Sequence, residues 1–124
     1  MKDHFIEGAF CPPHSGTYYP VYAPATGEVV GQAPRGDTRD VNAAVRSARN
    51  AFGRWSTMAP AERELCFLRA ADGIESRRAS LVELIIDESG STVNKAHGEV
   101  SYSASLLRTA AGEVRRLYGD TFPA

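Results

Sequence analysis

One stretch of this sequence has the residue spacing of a phosphate-binding loop. Gly31 and Gly36 frame four residues, and Asp37-Thr38 follow where a predicted strand gives way to a helix, as in the pattern G-x-x-x-x-G-K-[ST]. Asp37, however, replaces the lysine that would neutralise the phosphate, and Pro34 lacks the backbone N–H that would help to cradle it. We therefore interpret the stretch as a turn followed by a helix cap.

The residues able to bind a metal or attack a carbonyl are few and scattered. Cys11 and His14 could supply two metal ligands, but a tetrahedral site needs three or four, and His4 and His97 add no paired spacing. Cys66 lies on a predicted helix with no histidine at helical spacing, which favours an ordinary thiol over a catalytic one. The glycines contain no G-x-G pair, so a dinucleotide-binding turn is missing as well. The residues by themselves predict no catalytic, cofactor-binding or firm metal site.

Composition and charge exclude several classes of protein. The chain has 124 residues, with 14 Lys and Arg against 15 Asp and Glu and a net charge of −1. This balance excludes the basic surface of a nucleic-acid binder and the acidic signature of a disordered tail. No apolar run approaches the ~20 residues that cross a bilayer, and the first residues lack the pattern of a secretory signal. We therefore expect a cytoplasmic protein with no membrane or nucleic-acid partner, whose two cysteines are free thiols.

Residues 1–36 have the pattern of short strands and turns. Aromatic and β-branched residues lie among Gly and Pro, which predicts strands at His4–Ile6, Tyr18–Tyr22 and Val29–Ala33. The segment 24–27 is predicted to turn, because Pro fixes φ and Gly tolerates a positive φ.

Residues 37–124 have helical periodicity and predict about four helices, the last one long. The first is expected to be capped by Asp37 or Thr38. The predicted bounds are about 38–55, Pro60 to about Arg77, a third helix ending at Ser89-Gly90, and Val93 to Tyr118 with Gly119 as the end. Apolar residues share one side of each helix: Val41, Ala44, Val45, Ala48, Phe52 and Trp55; Leu65, Leu68 and Ala71; Leu81, Leu84 and Ile85; and Val93, Val100, Ala104, Leu107, Ala111, Val114 and Tyr118.

A series of short motifs runs through nearly the whole chain, from Phe5 to Pro123. They are Phe5-Ile6-Glu7-Gly8, Ala23-Pro24-Ala25-Thr26-Gly27-Glu28-Val29-Val30, Asp40 to Trp55, Pro60-Ala61-Glu62-Arg63, Leu68 to Asp72, Glu88-Ser89-Gly90, Leu107 to Gly112, and Tyr118-Gly119. In this order and spacing they resemble the N-terminal part of the aldehyde dehydrogenase superfamily. Two departures, Ala23 in place of the usual Asn and Ser91 in place of the usual Lys, affect local turn chemistry.

The resemblance implies an α/β parent fold, of which this chain would be the N-terminal part of the nucleotide-binding domain. The segment itself is then expected to be helix-rich α+β, with strands and turns over 1–36 and a helical layer over 37–124. The catalytic and oligomerisation parts of the family lie outside the residues that match.

The resemblance also implies a function for the parent protein, oxidation of an aldehyde to a carboxylic acid with NAD or NADP, in a homo-oligomer. In the family a nucleophilic Cys, an oxyanion-holding Asn and a general-base Glu do the chemistry, and none of them matches a residue here, Cys11 and Cys66 included. The expectation is that the 124 residues alone are structural and not catalytic.

Two sites come from the resemblance alone. The long helix of similar enzymes turns one face to the substrate entrance, which implies Gly98, Tyr102 and Leu106 here; Tyr102 as an interfacial packing residue is the alternative. Some members also hold a structural cation, which implies Val21 with Asp87 or Glu88.

A second hypothesis assigns the chain to a different class, a protein that is not an enzyme. The chain would be a stand-alone, non-catalytic remnant that acts through self-association or a partner protein. Its basis is that helices with apolar faces, when they lack the sheet that covers them in the family, expose patches that drive association.

Overall fold

The computed structural model describes residues 3–119, and its elements are two short antiparallel ribbons followed by four helices. The strands are β1 His4–Ile6, β2 Ala9–Cys11, β3 Tyr18–Tyr22 and β4 Val29–Pro34, and the helices are α1 Thr38–Thr57, α2 Pro60–Ser76, α3 Arg78–Ser89 and α4 Val93–Val114. The predicted class, short strands followed by four helices with a long last one, is confirmed. None of the helices within residues 3–119 combines the length and apolar character needed to cross a membrane.

The described residues divide into two compact units. One unit takes in Thr57 and the described residues before it, together with Leu84–Ser91. The other takes in Met58–Glu83 and the described residues from Thr92 onward.

Strand β2 is the element that the sequence pattern missed. It pairs with β1 through a two-residue loop, Glu7-Gly8, in which both residues have positive φ, 57° and 80°. Such a loop matches the right-handed twist of two antiparallel strands. The rings of Phe5 and Phe10 face each other across the ribbon, edge to face, with centroids 5.1 Å apart.

The second ribbon, β3–β4, follows the prediction closely. Tyr18 pairs with Pro34 and Val21 with Gly31, with a bulge after Val21. The predicted turn forms at 24–26, where the N–H groups of Thr26 and Gly27 both donate to the carbonyl of Ala23.

Helices α2 and α4 build the core of the second unit from small side chains. The buried residues on them are all Ala or Val: Ala71, Ala96, Val100, Ala104, Ala111 and Val114. Side chains of this size let two helices approach closely. Arg108 on α4 forms ion pairs with Asp72 and Glu75 on α2, and Arg115 pairs with Glu64.

Helix α4 ends earlier than the periodicity predicts. The helix stops at Val114, and the N–H of Arg116 donates to the carbonyl of Glu113, a three-residue step that tightens the last turn. Tyr118, assigned to the apolar side, lies beyond the helix and is 88% exposed. The apolar periodicity of the sequence continues to Tyr118, but Val114 is the last buried residue of the helix.

Other residues of the predicted apolar sides are exposed as well. Val93 occupies the first position of α4 and is 57% exposed, so it packs little. On α3 the buried residue is Val82, while Leu84, predicted to share an apolar side with Leu81 and Ile85, is 44% exposed; Leu65 on α2 is 53% exposed. Spacing alone could not tell which side of so short a helix would be covered.

Candidate functional site

The N-terminus of α1 is closed by two carboxylates of the chain itself. Asp37 precedes the helix, and its Oδ1 accepts from the N–H groups of Arg39 at 2.7 Å and Asp40 at 3.3 Å. In return, Asp40 Oδ2 accepts from the N–H of Asp37 at 2.9 Å. This reciprocal pairing is a capping box built from two aspartates, and it confirms the expected cap at Asp37.

This arrangement does not fit a phosphate group. The first-turn N–H groups of Arg39 and Asp40 donate to Asp37, the N–H of Asp37 donates to Asp40, and both carboxylates add negative charge at that point. The hydrogen bond from the His14 ring lowers the pKa of Asp37 below its ordinary value, and the N–H of Asp37 does the same for the pKa of Asp40. The loop from Gly31 to Thr38, which matches the spacing of a phosphate-binding loop, is therefore a helix cap and does not provide a binding site for the pyrophosphate of NAD or NADP.

The loop before β3 is fastened to the same capping box through His14. Its N–H donates to Asp40 Oδ1 at 2.9 Å, and its ring Nδ1 lies 2.9 Å from Asp37 Oδ2. Nε2 of the same ring lies 2.7 Å from Nη1 of Arg39. From the other side, the ring of His4 on β1 places Nε2 4.0 Å from Asp40 Oδ2.

The three residues expected at a substrate entrance lie together on α4. Gly98, Tyr102 and Leu106 are each two residues beyond a buried Ala or Val, which at ~100° per residue places them on the opposite side of the helix. All three are exposed, Tyr102 to 66% and Leu106 to 50%. The stripe is therefore available for contact in this chain.

Of the residues expected near a structural cation, two lie at one groove. Val21 and Glu88 line a cavity of about 660 Å³, together with Asp3 and Leu84, whereas Asp87 does not line it. The carboxylate of Asp3 accepts from the Tyr18 hydroxyl at 2.6 Å, which raises the pKa of Tyr18 above its ordinary value. Within residues 3–119 no three His, Cys, Asp or Glu side chains cluster closely enough to hold a metal ion. The cation therefore stays a prediction, since side chains alone do not provide its ligands.

Both cysteines are free thiols, as expected. Cys11 Sγ lies 3.7 Å from the carbonyl oxygen of His4, and Cys66 Sγ lies 3.7 Å from Nη2 of Arg69, one turn along α2. Neither sulfur has a hydrogen bond to a histidine ring or a carboxylate among the described residues, so neither has a general base beside it.

Comparison with known proteins decides the family. The aldehyde dehydrogenase family model matches residues 10–124. The chain belongs to the aldehyde dehydrogenase family. Among curated relatives, the mitochondrial succinate-semialdehyde dehydrogenase of Homo sapiens is 35% identical over 118 residues, which are 95% of this chain and 22% of that protein.

Solved structures share the fold of this segment. HpcC from Thermus thermophilus superimposes with a TM-score of 0.94 at 34% identity, covering 99% of this chain and 24% of that one. The NAD-dependent benzaldehyde dehydrogenase from Corynebacterium glutamicum gives a TM-score of 0.93 at 29% identity, covering 99% and 27%. This aldehyde dehydrogenase chain spans about a quarter of the length of the relatives it matches.

The cluster around His14 was not predicted from the sequence, although the cap at Asp37 was. Asp37 was predicted as a cap, with Thr38 as the alternative, from its place ahead of the apolar-periodic segment, and the spacing Asp37-x-x-Asp40 is the signal that could have added Asp40. The histidine joins from 23 residues away along the chain, and no local pattern reports that contact.

Proposed function

We propose that these residues are the hairpin-and-helix part of an enzyme that oxidises an aldehyde to a carboxylic acid with NAD or NADP. One observation carries the proposal: the family match extends over residues 10–124, and the fold agrees with solved aldehyde dehydrogenases over nearly the whole chain. NAD(P)+ would supply the hydride acceptor. We assign no chemical step to residues 3–119.

The role of this segment would be to support the nucleotide domain and to shape access to it. Neither Cys11 nor Cys66 has a hydrogen bond to a general base within residues 3–119, and the carboxylates at the start of α1 exclude phosphate from it. On α4 the exposed stripe Gly98, Tyr102 and Leu106 would face the substrate entrance. This assignment gives the stripe a contact with the aldehyde and leaves catalysis to other parts of the polypeptide.

The experiment compares the natural protein with the isolated segment. The natural protein is purified from its source cells, and NAD+ or NADP+ reduction is followed with aliphatic, aromatic and carboxylate-bearing aldehydes. The same assay is run on the 124-residue chain. We expect turnover by the natural protein if its mass is several times 13.4 kDa, and none by the segment. Turnover by the 124-residue chain would refute the division of labour proposed here.

A second candidate function has its own observation. Helix α1 has 20 residues and none is buried; Val41, Val45 and Phe52, which share one side, are 60%, 53% and 66% exposed. A chain that carries such a face by itself would act through self-association or a partner and not through catalysis. A natural product of 13.4 kDa that sediments as an oligomer would favour this function, and a sharply melting monomer that binds no apolar dye would exclude it.

A further inference from the structure

The cluster at the start of α1 selects one tautomer of the neutral His14 ring. The guanidinium of Arg39 carries only donors and keeps its charge at any ordinary pH. Its Nη1 lies 2.7 Å from His14 Nε2, so that nitrogen must present a lone pair. The ring proton of neutral His14 then belongs to Nδ1, which donates to Asp37 Oδ2 at 2.9 Å. Both contacts are satisfied only by the neutral Nδ1–H tautomer.

Arg39 depends on this ring for its position. It is the second residue of α1, where the positive end of the helix dipole disfavours a cation. Among residues 3–119 it forms no ion pair with a carboxylate, and its side-chain hydrogen bond goes to His14. Nothing else in the described chain holds the guanidinium.

We propose that His14 is a proton-operated latch: the neutral ring holds Arg39 at the start of α1, and the protonated ring releases it. Proton uptake at Nε2 sets two donors and two positive charges against each other at the Arg39 contact, so the guanidinium leaves. The other side of the ring behaves in the opposite way, because Nδ1–H and Asp37 become a charge-assisted pair. The loop stays fastened to α1 while one cationic side chain becomes free in solution.

Within residues 3–119, four charged or titratable residues surround the His14 ring and the capping box. They are Asp37, Asp40 and Arg39 from α1, and His4 from β1 reaches Asp40 on its far side. His4 Nε2 is buried and has no hydrogen-bond partner among the described residues. A proton on His4 Nε2 forms an ion pair with Asp40, so protonation of the two rings strengthens both histidine contacts with the capping box as long as Asp37 and Asp40 stay ionised. The same protonation releases Arg39.

Nitrogen NMR tests the latch directly. The protein is labelled with 15N-histidine and 15N-arginine, and the His14 signals are assigned by their loss in His14→Gln. Above the imidazole titration we expect a protonated Nδ1 and a bare Nε2 for His14, whereas the exposed His97 serves as the internal reference for an ordinary ring. Below the titration, the Arg39 side-chain signals should shift to those of a solvated arginine. A proton on Nε2 at high pH, or Arg39 signals that do not change through the titration, would overturn the proposal.

Matched variants separate the latch from a purely structural effect. Arg39→Met removes the donor and should return His14 to the tautomer balance of His97. Arg46→Met changes an exposed arginine two turns further along the same side of α1 and should leave His14 unaltered. Far-UV circular dichroism checks that each variant retains its helices. Equal effects from both variants would mean that helix charge, and not the contact, governs the ring.

Discussion

Arg108 on α4 places its Nη2 3.2 Å from Asp72 Oδ1 on α2, and its Nη1 3.9 Å from Glu75 Oε1. Glu75 in turn binds Arg78, whose Nη2 lies 2.6 Å from Glu75 Oε2. Opposite charges thus flank the small-residue contact between the two helices. The two pairs that Arg108 makes join α4 to α2, and a shift of one helix by one turn would separate both.

The energetic weight of the Arg108–Asp72 pair is expected to be small. Arg108 is 45% and Asp72 76% exposed, so solvent screens the attraction. In a double-mutant cycle with Arg108→Ala and Asp72→Ala we expect a coupling free energy of about 1 kcal/mol or less, from urea unfolding. The coupling should fall further at high salt. A larger, salt-independent coupling would show that the pair is more than a surface contact.

Replacement of Gly90 by alanine is expected to destabilise the fold, whereas the same replacement of Gly98 is not. Its φ of +65° is unfavourable for residues with a side chain, and a Cβ would lie 3.3 Å from Pro24 Cβ. Gly90→Ala should lower the free energy of unfolding by ~1–2 kcal/mol. Gly98→Ala is the matched control, because it lies inside α4 with nothing within 4 Å of its Cβ position. That variant should raise stability by up to ~1 kcal/mol, and urea denaturation measures both.

Acid is expected to weaken the start of α1 through Asp37 and Asp40. Hydrogen bonds lower the pKa of both carboxyls in the folded chain. A lowered folded pKa contributes stability above the unfolded pKa of about 3.9, and this contribution is lost as pH falls through the folded value. As pH falls below about 4, the denaturant midpoint of unfolding should therefore decrease in the unsubstituted chain. The decrease should be smaller in Asp37→Asn, which keeps a capping oxygen. Identical acid profiles for the two proteins would remove Asp37 from the explanation.

Tyr102 provides the test of the proposed substrate entrance. If the natural protein oxidises aldehydes as proposed, Tyr102→Ala should raise its KM for the aldehyde several-fold with kcat nearly unchanged, because a residue at the entrance binds substrate and transition state alike. Val93→Ala, which alters another exposed apolar residue of α4, should change neither constant. Unaltered kinetics in both variants would instead assign Tyr102 to packing.

The helices and most strands could be predicted from sequence, because the residues that begin and end them lie within or next to them. Pro60 at the first position of α2 and Gly90 after α3 mark helix ends through the conformations that those residue types favour. Strand β2 was missed because three residues, Ala9–Cys11, are too few to establish an alternating pattern. Only the Glu7-Gly8 loop between two aromatic residues could have signalled it.

Tertiary relationships could not be predicted in the same way. The fastening of His14 to Asp37 joins residues far apart in sequence, and the exposure of Leu84 depends on what else covers α3. For α1, the amphipathic pattern correctly placed Val41, Val45 and Phe52 on one side, yet that side is exposed in this chain. A periodic pattern identifies a face and says nothing of what covers it.

The all-Ala and Val interior between α2 and α4 has a calorimetric consequence. The heat-capacity increment of unfolding grows with the apolar area that becomes hydrated, and methyl-sized side chains expose little of it. The denaturant slope follows the same area. Unfolding of this helix pair should therefore show a low heat-capacity increment per residue, and its stability should vary little between cold and warm conditions.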